Sequence, residues 1–155
     1  MNAGSARKER TFNMKKKFKI MTADGKKITL KAQLWLYYER TPDGKYVPCI
    51  GISLYKKTCT GFDFLPSWIP YSELTRFFSG SVLEKNSAYV DINDCPIIKQ
   101  LLDMGIAEET EEYKVGALGR YPMWRFTEKF LKSCDRRIYR EYIKGFNKPL
   151  ATAPY

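Results

Sequence analysis

Side chains able to do chemistry crowd into one short stretch, Val90-Asp-Ile-Asn-Asp-Cys-Pro96, which holds Asp91, Asn93, Asp94 and Cys95. Asp91-x-Asn93 has the opening spacing of a calcium loop, whose oxygens wrap a hard cation. Such a loop wants glycine at its sixth position and a bidentate glutamate at its twelfth, and here Pro96 and Leu102 stand there. The spacing therefore argues against a metal. A thiol at a helix start, as Cys95 would be, ionises more readily under the helix dipole. A nucleophile also needs a base, and the chain has no histidine. That composition removes Ser-His-Asp and Cys-His activation and histidine metal ligation together. The plainer reading is a strand end feeding a helix: Asn93 or Asp94 caps, Pro96 fills the first turn, Ile97, Ile98, Leu101 and Leu102 bury one face, and Gly105 stops it. No catalytic residue, metal or cofactor is expected.

The second group with chemical potential is cationic. The net charge is +10, from 27 Lys and Arg against 17 Asp and Glu. Residues 1–19 carry Arg7, Lys8, Arg10, Lys15, Lys16, Lys17 and Lys19 against Glu9, and residues 127–155 carry seven bases against three acids. The intervening residues sum to zero, so a neutral body lies between two basic ends. Lys132, Arg136, Arg140 and Lys144 recur every four residues, with Arg137 beside them. On a helix they form one stripe, suited to neutralising phosphates with a steep salt dependence. The competing reading is a solvated helix face, which the Glu128–Lys132 spacing of four supports. No Gly-rich phosphate loop, zinc finger or RNP-type motif is present.

Aromatic residues are 15% of the chain. Trp35 and Tyr37 alternate with apolar positions, while Phe62, Phe64 and Trp68 crowd a segment read as a loop. Exposed, they would stack bases or anchor a protein interface. Covered by helices, they are core.

Elements must hold these groups in place. Phe18–Thr22 and Lys27–Tyr38 alternate with period two around Ala23-Asp-Gly-Lys26 and read as a hairpin. Ile28, Leu30, Ala32, Leu34, Leu36 and Tyr38 share one face, and Thr29, Lys31, Gln33, Trp35 and Tyr37 the other. Thr41-Pro-Asp-Gly44 makes a second turn into a strand, Tyr46–Tyr55. Lys56–Ile69 reads as a loop, Tyr71–Phe78 as a short helix opened by Pro70, Ser87–Ile92 as a strand and Pro96–Met104 as a helix. Glu108, Glu109, Glu111 and Glu112 make an acidic patch, Gly116–Arg120 a loop and Tyr121–Phe126 a strand. Thr127 then caps one long helix, about Glu128–Lys144, with Phe130, Leu131, Cys134, Ile138 and Tyr142 as its apolar seam and Gly145 as its end. The expected class is α+β: an antiparallel sheet of about four to five strands packed with two or three helices, the C-terminal one long. The expected organisation is a flexible basic arm (1–14), one domain (15–145) and a loose tail (146–155). Met14, followed by Lys-Lys-Lys-Phe-Lys-Ile, has the form of a natural start as much as of an internal residue.

Ser87–Leu131 resembles a family of small uncharacterised proteins found in mobile elements, phages and gut-dwelling bacteria. The resemblance lies in Ala88-Tyr-Val-Asp-x-Asn93, Cys95-Pro96, an amphipathic helix ending at Gly105, and Gly119-x-Tyr121-Pro122-x-x-x-Phe126. It implies a setting among accessory genes of mobile DNA, where small proteins block host defences or manage element DNA.

The four cysteines, Cys49, Cys59, Cys95 and Cys134, lie 10, 36 and 39 residues apart with no C-x-x-C pair, and read as free thiols. With no apolar run near bilayer length and no apolar leader after the basic start, a cytoplasmic protein is expected and no membrane partner. The expected function is a non-enzymatic binding protein that inhibits a host RNA-guided defence nuclease (anti-CRISPR-like), with a host protein or ribonucleoprotein complex as partner. The alternative is a sequence-tolerant DNA- or RNA-binding accessory. Oligomeric state is not legible.

Overall fold

The computed structural model describes residues 17–58, 67–93 and 96–154. Two turns of one design open it. Thr22-Ala-Asp-Gly-Lys26 and Thr41-Pro-Asp-Gly-Lys45 share the pattern Thr-x-Asp-Gly-Lys. In each, the threonine N–H donates to the lysine carbonyl at 2.7 Å and the hydroxyl donates to the aspartate. Gly25 and Gly44 take φ of +82° and +86°, a region side chains rarely enter. The turns connect β1 (Lys17–Met21), β2 (Lys27–Arg40) and β3 (Tyr46–Thr58) into an antiparallel meander, and β4 (Ser67–Glu73) adds to the far edge of β3.

A second antiparallel sheet holds β5 (Thr75–Arg76), β6 (Ser87–Val90), β7 (Ala107–Gly116) and β8 (Gly119–Phe126) in the order β5-β6-β8-β7. Between β6 and β7, a 3-10 turn at Pro96–Lys99 leads into α1 (Gln100–Asp103). The chain closes with α2 (Glu128–Cys134) and α3 (Arg136–Asn147). The class is α+β, mainly sheet, with the strands divided between two sheets. None of the helices is long and apolar enough to cross a membrane, among the described residues.

Alternation builds the core. In the β2–β3 register Ala32 faces Leu54, Leu34 faces Ile52 and Leu36 faces Ile50. Leu30, Ala32, Leu34, Ile50, Ile52 and Leu54 are buried together with Val90, Ile98, Leu101, Trp124 and Phe126. Leu74 is the joint between sheets: its N–H donates to the Ile52 carbonyl and its carbonyl accepts from Asp91 N–H, both at 2.9 Å.

Several expectations change. Tyr71–Phe78 is not a helix: Ser72 and Glu73 pair with β3 and Thr75–Arg76 with β6, and this pairing with both sheets outweighs a weak local preference. Pro70 sits opposite Tyr55 on an edge strand, where a missing N–H is tolerated. The ends of the expected Lys56–Ile69 loop are strand, with Lys56–Thr58 in β3 and Ser67–Ile69 in β4, so Trp68 is a strand residue. The acidic patch lies on β7, and the expected Gly116–Arg120 loop shrinks to a two-residue turn at Ala117 and Leu118. The expected long C-terminal helix is two helices. Asp135 takes φ −166° and ψ 105°, and its side chain accepts from Ile138 N–H at 3.0 Å, ending α2 and capping α3. The tail is not loose from Phe146 onward: α3 runs through Asn147, and Leu150 exchanges both backbone hydrogen bonds with Tyr46, at 2.8 and 2.9 Å. The expected arm at residues 1–14 lies outside the described residues.

Asp91 is fully buried and ion-paired with the half-exposed Arg76, and it also accepts from Asn93 N–H at 3.1 Å. Its carboxylate braces β5 against β6 instead of facing solvent. Arg76→Ala removes the ion pair from that buried carboxylate and is expected to cost about 3 kcal/mol in urea unfolding. A loss below about 1 kcal/mol, the level of a surface pair, would refute the brace.

Candidate functional site

Where α2 meets α3, the chain forms a groove of about 540 Å³ lined by Glu128, Lys132, Arg136, Tyr139, Arg140, Ile143 and Lys144. The Thr127 hydroxyl starts α2 by accepting from Phe130 N–H at 3.1 Å, and Asp135 restarts the helix as α3. Phe130, Leu131 and Cys134 bury the inner side of α2, and Tyr139, Tyr142 and Gly145 that of α3. The bases are left pointing outward. The break at Asp135 does not scatter the stripe; all four bases border one concavity.

Asn86 sets the position of α3. It holds φ +64°, a conformation asparagine tolerates better than most residues. Its side-chain oxygen accepts from the Tyr139 hydroxyl at 3.0 Å, its N–H donates to the Tyr142 hydroxyl at 2.7 Å, and its carbonyl accepts from Phe126 N–H at 2.8 Å. One loop residue thus ties α3 to β8. Tyr139 is buried to 2% exposure and forms part of the groove lining, with Ile143 beside it.

Lys132 pairs with Glu128 at 3.1 Å. Among the described residues, Arg136, Arg140 and Lys144 have no carboxylate at ion-pair distance. The groove carries four cations against one acid on a partly apolar lining. Such a surface attracts phosphates without demanding any one base sequence.

The other expected residues divide. Arg137 is exposed on α3 but does not line the groove. Lys17 lies on β1, its ammonium 5.7 Å from the Trp68 ring centre, and Lys31 approaches the same ring to 4.4 Å. Trp35 lies over Gly51, where a Cβ would come within 2.3 Å of the indole, and its Nε1–H donates to Ser53 Oγ at 3.0 Å. Tyr37 packs edge-on against Phe77 at 4.8 Å, and burial pushes its hydroxyl pKa well up. It belongs to packing. Arg7, Lys8, Arg10, Lys15, Lys16, Phe62 and Phe64 lie outside the described residues, as do Cys59, Asp94 and Cys95. Sequence reasoning missed Asn86, Tyr139, Ile143 and Lys31. The i, i+4 spacing of Tyr139 and Ile143 was a readable signal, whereas nothing local marked Asn86.

The chemically suggestive stretch proves structural where it is described. The Asn93 amide donates to the Arg120 carbonyl at 2.7 Å in place of the expected helix cap, and a Cβ on Gly119 would come within 2.8 Å of the Asn93 side chain. Asn93 and Gly119, distant in sequence, hold each other's loops. Among the described residues, no group of three or more Asp, Glu, Cys or His is arranged to hold a metal. Cys49 and Cys134 are buried and in no disulfide.

No protein-family model matches the chain, and neither a curated protein nor a solved structure matches it.

Two predictions follow from this geometry. Asn86→Gly keeps the backbone conformation but loses the Tyr139 bond, at about 1 kcal/mol. Asn86→Ala adds the left-handed backbone penalty of about 1–2 kcal/mol, so in urea unfolding the order wild type, Gly, Ala is expected. An alanine variant as stable as the glycine variant would contradict it. The second concerns pH. Burial raises the Cys49 pKa from 9.0 to about 11, so the unfolded thiol ionises first as pH rises. Its contribution is whole below pH 9 and lost between about 9 and 11. Urea midpoints should fall across that window in wild type and less steeply in Cys49→Ala; parallel curves would exclude a role for the thiol.

Proposed function

We propose that this chain is a non-enzymatic binding protein that takes the phosphate backbone of a nucleic acid in the α2–α3 groove. The observation carrying this reading is the convergence of Lys132, Arg136, Arg140 and Lys144 on one concavity. Fixed, closely spaced cations displace the counterions of a polyanion, which makes binding strong at low salt and weak at high salt.

The setting we propose is that of an accessory protein of a mobile element or phage, acting in the cytoplasm on a host RNA-guided defence nuclease. A second observation favours this ribonucleoprotein target over naked nucleic acid. Glu108, Glu109, Glu111 and Glu112 are presented by β7, an edge strand, and all four are exposed. A ribonucleoprotein displays phosphates beside the basic protein surface that holds them. A ligand with a cationic groove and an acidic edge can engage both, whereas bare nucleic acid repels the second.

The experiment measures binding of the purified chain to single- and double-stranded oligonucleotides at two salt concentrations. In parallel, the nuclease is assayed with and without its guide RNA. Arg136→Glu with Arg140→Glu should keep the fold, by circular dichroism, and lose binding. Truncation of the same pair to alanine should reduce the slope of log affinity against log salt by about 2. Unchanged affinity in the charge-reversed variant would remove the groove from the function. Guide-dependent inhibition supports the defence-nuclease target; salt-steep oligonucleotide binding with no effect on the nuclease supports the accessory reading.

A further inference from the structure

The first sheet has a second cationic surface, separate from the groove. In register, Lys17 faces Lys31, Lys31 faces Tyr55 and Lys57 faces Trp68. Direct partners in an antiparallel pair share a face, and positions two apart along a strand share it too. Lys17, Lys19, Lys31, Lys57, Trp35, Tyr55 and Trp68 therefore project from one side, opposite Leu30, Ala32, Leu34 and Ile52. Lys17, Lys19 and Lys57 are exposed; Lys31, Trp35, Tyr55 and Trp68 are half-buried.

Resting on the reading of the chain as a nucleic-acid binder, we infer that this face is a stacking platform for the bases of single-stranded nucleic acid, with its lysines taking the phosphates. The aromatic groups are held rigidly. Trp35 is pinned over Gly51 and by its bond to Ser53, and the Trp68 ring is met by the Lys17 and Lys31 ammonium groups, which reach it across the sheet from β1 and β2. A rigid ring loses little freedom when a base stacks on it. The lysines add complementarity: Lys17 and Lys31 stand opposite one another and lean on the same indole. Glu73 enters this face at Ser53, whose hydroxyl donates to its carboxylate at 2.6 Å.

The chemistry selects the occupant. A duplex shows phosphates but hides its base faces, and an acidic peptide offers charge without a row of π surfaces. A single strand supplies both, and its bases stack on aromatic side chains without sequence readout. Same-face positions recur about every 6.6 Å along β2 and β3, so Trp35 and the Lys31–Trp68 pair mark out an extended path.

The test titrates the full-length chain with labelled oligothymidylate and with a duplex of equal length, reading anisotropy and indole quenching. Single-strand binding is expected to be tighter and to quench tryptophan. Trp68→Ala should weaken it roughly 10-fold while leaving duplex affinity unchanged, and Trp68→Phe should restore most of the loss. Lys17→Glu with Lys31→Glu should weaken the single strand more than the duplex. Three results would overturn the platform: equal affinity for both forms, Trp68→Ala behaving as wild type, or polyglutamate competing as well as the oligonucleotide. The groove is scored separately. If Trp68→Ala matters and reversal of Arg136 and Arg140 does not, the platform stands and the groove fails. The reverse pattern keeps the groove and rejects the platform, and no binding to either form rejects both.

Discussion

The placement of α3 against the second sheet depends on Asn86. Its positive φ turns the chain so that N–H, carbonyl and side-chain oxygen each reach a different partner: Tyr142, Phe126 and Tyr139. Two of these partners are on α3, and both tyrosines are buried. A buried hydroxyl without a partner is costly, so the tyrosines and the asparagine require one another. The outer face of α3, with Arg136, Arg140 and Lys144, is aimed by contacts made on its inner face. The groove is the consequence.

Charge is sorted by the fold as well as by the sequence. The acids of β7 occupy an outer strand, where exposed carboxylates also discourage pairing with another sheet. The bases gather on α2 and α3 and on the solvent side of β1 and β2. Arg125, exposed on β8, pairs with Glu84 and Glu108 at 3.3 and 2.8 Å and neutralises part of the acidic side at the surface. The molecule therefore carries its cations and its acids on separate surfaces.

Much of the architecture was legible locally. The Thr-x-Asp-Gly-Lys turns announce themselves, because glycine must supply the positive φ and the Asp–Thr pair closes the loop. The β2 alternation alone puts Leu30, Ala32 and Leu34 on one face, and all three are core. Elsewhere local pattern misled. Tyr71–Phe78 carries enough apolar spacing for a helix, but the edges of β3 and β6 offer its two halves backbone partners. The basic stripe read as one helix because a single Asp at 135 is a small perturbation of the period. Its role as a cap depends on the chain turning there.

By itself, the sequence determined the class of the fold, its first two hairpins, part of its core and the absence of any histidine chemistry, since these depend on residue type and short-range period. Tertiary structure alone decided that the strands divide into two sheets, that Asp91 is a buried partner of Arg76, and that Asn86 carries α3. It also decided that the cations of the broken helix line one groove and that Lys31 meets Trp68 across the sheet. Each of these is a contact between residues distant in the chain. Spacing along the sequence carries no information about which strand edge or buried hydroxyl will be waiting when the chain folds back.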